Sequence, residues 1–586
     1  MSAAGRNAPF VLIDDQRPGG RATLYRDPVD VLVADTADAV AGVLDGIRRA
    51  GRDGLHVAGY LAYGAGAALE PRLAAADDAG MPLAWFGLFT GGTAIDVADW
   101  LPDPAGATTG PVVPRLSRAA YGDAFEAVQA AIRAGDIYQA NLTFPADMAV
   151  AGDPLALYAR LRAQAGGGWG GVVWDGARHL LSCSPELFFT RSGDRLTARP
   201  MKGTAMRAAD PVADAAAMRD LAADPKQRAE NLMIVDLLRN DLARVAVAGS
   251  VAVPDLFTVE TYPTIHQLTS TVTATLAPGR DAVDMLAATF PCGSVTGAPK
   301  IRAMEIIAAV EPCARGVYTG SIGSLNPAGD GAFNVAIRTI RIDDGTGIGT
   351  MGLGSGIVAD SRVDAEWAEA LGKGRFVTAG ARPFDLIETM LFDPMEGLCD
   401  LERHLARMGR SAKALGFAFD RHDVRNELQA ATFRLRSASR VRLMLAKSGV
   451  VAVEARPLPP VPTTPVDVAI VPLPVPPCDF RLRHKTSDRA FYDDARKAAG
   501  TFEVLFEAPD GRLTEGSFTT LFIEHEGRLR TPALDAGLLP GVLRDRLIAD
   551  GTAAEGDIRR ADLPARFLIG NAVRGMIVAR LVVPGG

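Results

Sequence analysis

Residues 352–376 read GLGSGIVADSRVDAEWAEALGKGRF, and this stretch holds the sharpest local signal in the chain. A glycine-rich apolar run gives way to helical periodicity, which predicts a helix over 363–378. Inside it Glu366 and Glu369 stand at i,i+3, and Lys373 follows Glu369 at i+4, so the three share one face. Such a face is ordinarily solvated, its charges pairing with one another. The same spacing also presents two carboxylates to a hard cation. Just beyond, ARPFDLIETMLF (381–392) is strand-like and LERHLARMGRSAKALGF (401–417) is helical. A second unit therefore starts near Ala379.

Working back from that stretch, GAFNVAIRTIRIDD (331–344) reads as one strand. A helix over 299–312 is opened by Pro299, and KQRAENLMIVDLLRNDLARV (226–245) forms an amphipathic helix with Glu230 at its start. Ser117 is an N-cap for a helix in which Tyr121, Phe125, Val128 and Ile132 recur at helical spacing, ending at Gly135. IYQANLTF, GGVVWDGARHLLSCS and ELFFTRSGDRLTARP read as strands, as do HVAGYLAYGAGAAL and LAWFGLF nearer the start. LPDPAGATTGPVVPRLS (101–117) reads as a subdomain linker or long loop. The proline-rich 456–480 reads as an edge strand plus connector, with a polyproline ligand as the lesser reading.

The 586 residues are too many for one domain. With 48% hydrophobic and 22% charged residues the chain is neither disordered nor collagen-like. A formal charge of −7 argues against nucleic-acid or membrane-surface binding. The five cysteines form no CxxC pair, so neither a disulfide framework nor a zinc site is indicated. The opening MSAAGRNAPFVLIDD lacks a signal-peptide layout, and no apolar run reaches the ~18 residues of a membrane helix. A cytoplasmic location is expected.

Singly, the remaining motifs are ordinary. Glu186 in SPELFF could be a turn residue, Lys202 in RPMKGTAMR lies in a turn-like stretch, and Glu230 could serve a helix dipole. In order they are not ordinary. HVAGYLAYGAGAALEP, GDIYQANLT, SPELFF, PMKGTAMR, LMIVDLLRNDLARV, TIHQLTS (264–270), FPCGSVTGAPK (290–300), ARGVYTGSIG, FNVAIRTI and GLGSGIVADS together resemble the chorismate-utilising enzymes over about residues 57–378. The resemblance implies an anthranilate-synthase-component-I-like β-sandwich with surrounding helices. It divides the first unit into an N-terminal part (1–115) and a chorismate-binding core (116–378). It implies Lys202 as a covalent nucleophile and Glu186 as the general acid for the departing hydroxyl. His266 lies near the reacting ring by the same likeness; its plainer reading is a hydrogen-bonded structural histidine. Glu230 and Glu369, with Glu366 assisting, are implied as Mg²⁺ ligands. Tyr318, Arg338, Lys373 and Thr296, with the Gly354 and Gly356 backbone, are implied as anchors for the substrate dianion.

Within that family Lys stands in the aminodeoxychorismate-forming members where anthranilate synthases have Ala, and this chain reads Pro200-Met201-Lys202-Gly203-Thr204. None of the cysteines sits in a Gly-x-Cys-x-Gly elbow, so a glutaminase partner is expected to supply ammonia.

The C-terminal stretch holds RLRHKTSDRAFYDDAR (481–496), GRLTEGSFTTLFI (511–523), AGLLPGVLRDRLI (536–548) and FLIGNAVRGMIVAR (567–580). Over about 380–583 these resemble the fold-type IV pyridoxal-phosphate enzymes, implying a two-subdomain unit (379–586) and an α+β chain overall. Lys485 is then the cofactor-bonding lysine and Glu515 the partner of the pyridine nitrogen. Arg407, the Val542 and Leu543 amides and Asn571 are implied as phosphate contacts. A tyrosine usual five residues after the lysine in the aminotransferases is replaced by Ala490, with Tyr492 nearby. By context the second unit is expected to be a lyase acting on the first unit's product. A homodimer through this unit is also expected. The alternatives are anthranilate or isochorismate/salicylate synthesis fused to an amino acid aminotransferase, or a non-catalytic scaffold.

Overall fold

A computed structural model describes residues 8–583 apart from 18, 74–79, 166, 209 and 262–264. The opening heptapeptide and Thr264 of TIHQLTS therefore lie outside the described residues. The first unit is built on two large antiparallel sheets of eleven and ten strands. Tyr25, Val173 and Leu180 from one sheet and Tyr60, Trp85 and Ile322 from the other share a buried cluster, the core of a sandwich. The helices Arg118–Arg133 and Pro154–Ala165 cover the outer face of the eleven-stranded sheet. Ala37–Arg52, Pro225–Ala243 and Ala282–Thr289 cover the ten-stranded one. The Ser117 cap forms, its hydroxyl accepting from the Ala120 amide at 3.2 Å, and Tyr121, Phe125 and Val128 are buried.

No folding boundary falls at residue 115. The strand Phe10–Asp15 pairs with Trp169–Trp174, and His56–Leu61 pairs with Ser321–Leu325, so the first hundred residues are woven into both sheets. The stretch read as a linker at 101–117 instead contains short strands that pair with the long strand Gln139–Gly152. HVAGYLAYGAGAAL is a strand only as far as Leu61; its small residues Ala65–Ala68 close into one helical turn.

GAFNVAIRTIRIDD is not one strand. Gly331–Asn334 belongs to the ten-stranded sheet and Thr339–Asp343 to the eleven-stranded one. The chain crosses between layers at 335–338, where Arg338 takes a left-handed φ of 49° that interrupts any extended run. At that crossing the Arg338 carbonyl accepts from the Cys183 amide at 3.1 Å.

The second unit begins with the strand Leu386–Asp393 in a four-stranded antiparallel sheet backed by the helices Leu401–Leu415 and Arg421–Thr432. It continues into an eight-stranded mixed sheet. Pairing of Glu515 with Thr520 joins Leu513–Gly516 to Thr520–His525 and closes six of those strands into a ring filled by Val468, Leu505, Leu521, Ile569 and Ile577. The proline-rich segment corrects the edge-strand expectation. Val466–Pro472 is interior, parallel to both Glu503–Glu507 and Gly575–Leu581. Its prolines lie at the flanks, where no ladder donor is needed, and the connector joins the two halves of the second unit. The two units touch where Arg481, buried with Asp479, reaches Asp103 at 3.7 Å. No described helix is long and apolar enough to cross a membrane.

Candidate active sites

The first centre gathers around Ser294, in the turn Gly293–Val295 that opens GSVTGAPK. Its hydroxyl donates to Glu186 Oε1 at 2.6 Å, and its carbonyl accepts from Lys202 Nζ at 3.1 Å. Glu186 is buried at the head of the strand Leu187–Ser192, and Lys202 projects from the strand Met201–Met206. One serine thus ties a carboxyl group and an amine from two elements. Burial pushes the Glu186 carboxyl up, against the pull of Ser294, Lys202 and Lys373. Burial pushes the Lys202 amine down, opposed by the field of Glu186. Cys292 lies 3.2 Å from the Ser294 hydroxyl, and burial raises its thiol to about 12, so it stays protonated.

The three carboxylates expected at a cation come from two helices. Glu230 lies in the second turn of Pro225–Ala243, not at its start. Glu366 and Glu369 lie on Val363–Gly372. Glu230 is raised by burial, opposed by the fields of Lys202 and Lys226 and raised further by those of Glu369 and Glu366, so the three carboxylates share one electrostatic neighbourhood with two lysines. They do not converge on a point: among the described residues no three acidic, histidine or cysteine groups do. Glu369 pairs with Lys373 at 2.9 Å and Glu366 accepts from the Ser361 hydroxyl at 2.7 Å. Carboxylate oxygens are hard donors and suit Mg²⁺, which keeps several waters and needs few direct ligands.

The expected anchors are placed unevenly. Arg338 is half-buried, burial lowers its pKa, and its guanidinium has no hydrogen bond or ion pair among the described residues. An anion is the natural partner for such a group. Lys373 donates to the Gly354 carbonyl at 2.9 Å. Tyr318 is buried against Gly352, where a Cβ would lie 2.0 Å from its ring. Gly356 faces the Gln139 amide in the same way, at 2.7 Å. Thr296 is turned inward, donating to the Cys292 carbonyl at 2.9 Å. His266 has both ring nitrogens engaged, with Thr261 at 3.0 Å and Asp214 at 2.9 Å, and Asp214 also pairs with Arg207. The structure ties it to the helix Pro211–Ala223 and not to Glu186 or Lys202.

The second centre is a cavity of about 730 Å³ between the small sheet and the ring, reached by Lys485, Arg407, Glu515 and Asn571. Lys485 is fixed by its backbone, whose carbonyl accepts from the Ile387 amide at 2.9 Å. Burial, then Arg407 and Arg489, lower its amine to about 7. Glu515 is raised to about 7 by burial, although Tyr492 donates to it at 2.6 Å and the Leu539 amide at 3.1 Å. The Val542 and Leu543 amides open the helix Val542–Ala549, where first-turn N–H groups lack helical partners and favour an anion. A phosphorylated pyridine aldehyde fits this donor set: a neutralisable amine, a buried acid and an anion seat face one cavity.

Two expected phosphate contacts are otherwise occupied. Arg407 is bound at two points to Glu388 (2.8 and 2.6 Å) and gives its remaining arm to the Pro540 carbonyl at 3.0 Å. Asn571 accepts from the Val573 and Arg574 amides and donates to the Phe518 carbonyl, organising its own turn. Sequence reasoning missed the buried triad Glu388–His404–Arg407. Its signal was available: Glu388 in LIETM and His404 three residues before Arg407 on one helix face. In this triad burial raises Glu388, but Arg407 and His404 outweigh it and hold the carboxyl near 2.

Two separate centres, each built around a half-buried lysine with a depressed pKa and a buried acid, define a two-site enzyme architecture. The chain belongs to the chorismate binding enzyme family, whose profile matches residues 8–379; residues 385–582 match the amino-transferase class IV family. Aminodeoxychorismate synthase component 1 of Salmonella typhimurium (strain LT2) is 45% identical over 260 residues, 44% of this chain and 56% of that protein. Anthranilate synthase component 1 of Streptomyces coelicolor is 41% identical over 268 residues, 46% of this chain and 52% of that protein. The chain spans about half the length of the curated relatives it matches. Among solved structures, anthranilate synthase component I from Streptococcus pneumoniae TIGR4 matches with a TM-score of 0.52 and 25% identity, covering 63% of this chain and 92% of that one.

Proposed function

We propose that the chain makes 4-aminobenzoate from chorismate in two steps, amination at the first centre and loss of pyruvate at the second. The observation that carries the reading is the Ser294 clasp, which sets an acid and an amine side by side in a buried pocket. The depressed Lys202 amine has a neutral fraction able to attack C2 of the substrate ring. As that bond forms, the C4 hydroxyl leaves, taking a proton from Glu186, whose raised pKa favours the protonated form. Ammonia then bonds to C4, the Lys202–C2 bond breaks, and the lysine amine is regenerated; the sum is substrate plus ammonia to aminated product plus water. Arg338 and Lys373 would hold the two carboxylates. Mg²⁺ held by Glu230, Glu366 and Glu369 would neutralise substrate carboxylate charge. A glutaminase subunit would deliver the ammonia.

At the second centre pyridoxal phosphate, when bound, supplies an electron sink. Lys485 would hold it and, once freed by the substrate amine, remove the C4 proton while the ether bond to the pyruvyl group breaks and the ring becomes aromatic. Glu515 would keep the pyridine nitrogen protonated, with Tyr492 steadying it. The second unit's match to the class IV aminotransferases supports this placement of Lys485 and Glu515. The anthranilate synthase relatives are nearly as similar as the aminodeoxychorismate ones, so identity alone does not choose between them; Lys202 does.

Incubation with chorismate, Mg²⁺ and ammonium should yield 4-aminobenzoate and pyruvate; anthranilate or salicylate would overturn the reading. Glutamine should support turnover only when a glutaminase subunit is added.

A further inference from the structure

The second centre carries more positive charge than one phosphate needs. Six arginines and Lys485 line its cavity against two carboxylates, Asp493 and Glu515. Those carboxylates are committed: Glu515 accepts from Tyr492, and Asp493 pairs with Arg496 at 3.5 Å. Arg407 is spent on Glu388, and Arg489 donates to the Ser517 carbonyl. Four of the six arginines have no carboxylate partner among the described residues; besides Arg489 these are Arg440, Arg442 and Arg574. Arg440 and Arg442 stand two apart on the strand Ser439–Leu445 and so share a face. The Arg442 Nε is buried without a hydrogen-bond partner. Arg574 comes from the opposite side, on the turn that Asn571 organises, its guanidinium over the Phe502 and Phe518 rings and touching only the Pro460 carbonyl.

Arg574 lies within the field of Arg440. Burial lowers the pKa of Arg574 and Arg440 lowers it further, against the weaker field of Glu503, whose carboxylate is held by Ser517 and Thr519. Arg442 in turn acts on Lys485. Half-buried like charges left unpaired destabilise a fold unless an anion joins them. Amino acids with apolar side chains bring one carboxylate and would leave most of this charge unanswered.

We propose that Arg440, Arg442 and Arg574 form a face that reads a second carboxylate, so that the second unit selects cyclic dicarboxylates over monocarboxylic amino acids. The identity of the natural substrate rests on the lyase reading above; the demand for two carboxylates does not.

The test titrates the pyridoxal-phosphate holoenzyme with isophthalate and with benzoate, followed by the absorbance of the bound cofactor, which reports on the second centre alone. Isophthalate should bind at least tenfold more tightly, since a charged hydrogen bond is worth about 1.5–3 kcal/mol, roughly 10–100-fold. Arg440→Gln and Arg574→Gln should each cut that preference at least threefold while the resting absorbance, and hence cofactor retention, is unchanged. Arg440→Lys should keep part of it, because the charge stays and the fork is lost. Equal affinities in the wild type, or a preference that survives all three variants, overturns the proposal. Supplied aminodeoxychorismate separates the two readings. A holoenzyme that prefers isophthalate yet releases no pyruvate supports the arginine face and overturns the lyase reading.

Discussion

The two half-buried lysines answer one problem in different electrostatic settings. Lys202 is pushed down by burial and by Lys373, but Glu186, Glu230 and Glu369 pull it back toward the charged form. Lys485 is pushed down by burial and then again by Arg407, Arg489 and Arg442, opposed by Glu388, a carboxylate already bound to Arg407. Each amine must lose a proton to act as a nucleophile. In the first centre this leaves an amine poised against an acid, suited to adding to a ring while a hydroxyl departs protonated. In the second it leaves an amine near pH 7 among cations, suited to meeting an anionic aldehyde and an anionic substrate. What a lysine does is set by who shares its pocket.

The largest effects should come from removing either amine. Lys202→Ala should stop chorismate consumption, a loss above about 10³-fold, while supplied intermediate is still converted. Lys485→Ala should leave chorismate consumption intact, accumulate the intermediate and lose the cofactor's absorbance. Cross-talk, with each variant crippling both steps, would break the picture of two independent settings. The pH dependence sharpens it. Capture of pyridoxal phosphate by the cofactor-free protein needs neutral Lys485, so its rate should be half-maximal near pH 7 and fall about tenfold per unit below it. A half-point near 10 would show that the arginines do not act on Lys485.

Next in size is Glu186→Gln, which keeps the Ser294 hydrogen bond but removes the transferable proton. Amination should fall about 10²–10⁴-fold, with substrate binding little changed. Ser294→Ala follows at up to about 10-fold, since it strips the hydrogen bond that orients the Glu186 carboxyl while leaving the backbone carbonyl that holds Lys202. Stopped-flow measurement of hydroxyl loss separates these from a binding defect.

Much of this was legible in the sequence where residues sit in ordered motifs. Glu186 and Lys202 were expected together from SPELFF and PMKGTAMR, and the structure joins them. Ser294 was passed over although its motif was quoted. A serine in a glycine-rich turn has no periodicity to mark it, and its role appears only when two distant strands are brought to it. GAFNVAIRTIRIDD illustrates the same limit. Its pattern is continuous, and only the left-handed backbone at Arg338 shows that the chain changes sheets there. The proline-rich 456–480 misled because proline content was counted over the segment, whereas the interior strand Val466–Pro472 carries its only proline at its last residue. His266 shows how motif matching can name a residue while missing its partners: both ring nitrogens are taken by Thr261 and Asp214.

The smallest expected effect tests whether the acid at the second centre is steadied as its counterpart at the first is. In the proposed reactions Glu515 would serve the pyridine ring as Glu186 would serve the hydroxyl, but Glu515 would act ionised and Glu186 protonated. Burial raises Glu515 to about 7, and the Tyr492 hydroxyl is the leading influence holding it lower. In Tyr492→Phe that donor is gone, so the carboxyl should rise further and be less ionised at neutral pH. The sign follows directly: a group that works as a carboxylate loses activity as pH falls through its pKa, and raising that pKa moves the acid limb of the second step to higher pH. A fall of about 3–10-fold at pH 7 is expected, from the ≈ 0.5–1.5 kcal/mol of a typical hydrogen bond, with much of the activity recovered by pH 8. Glu186 should show no such shift in this variant. An acid limb that stays where it is would mean that the Leu539 amide alone sets the acidity of Glu515, and that Tyr492 only packs against Phe491 and Phe506.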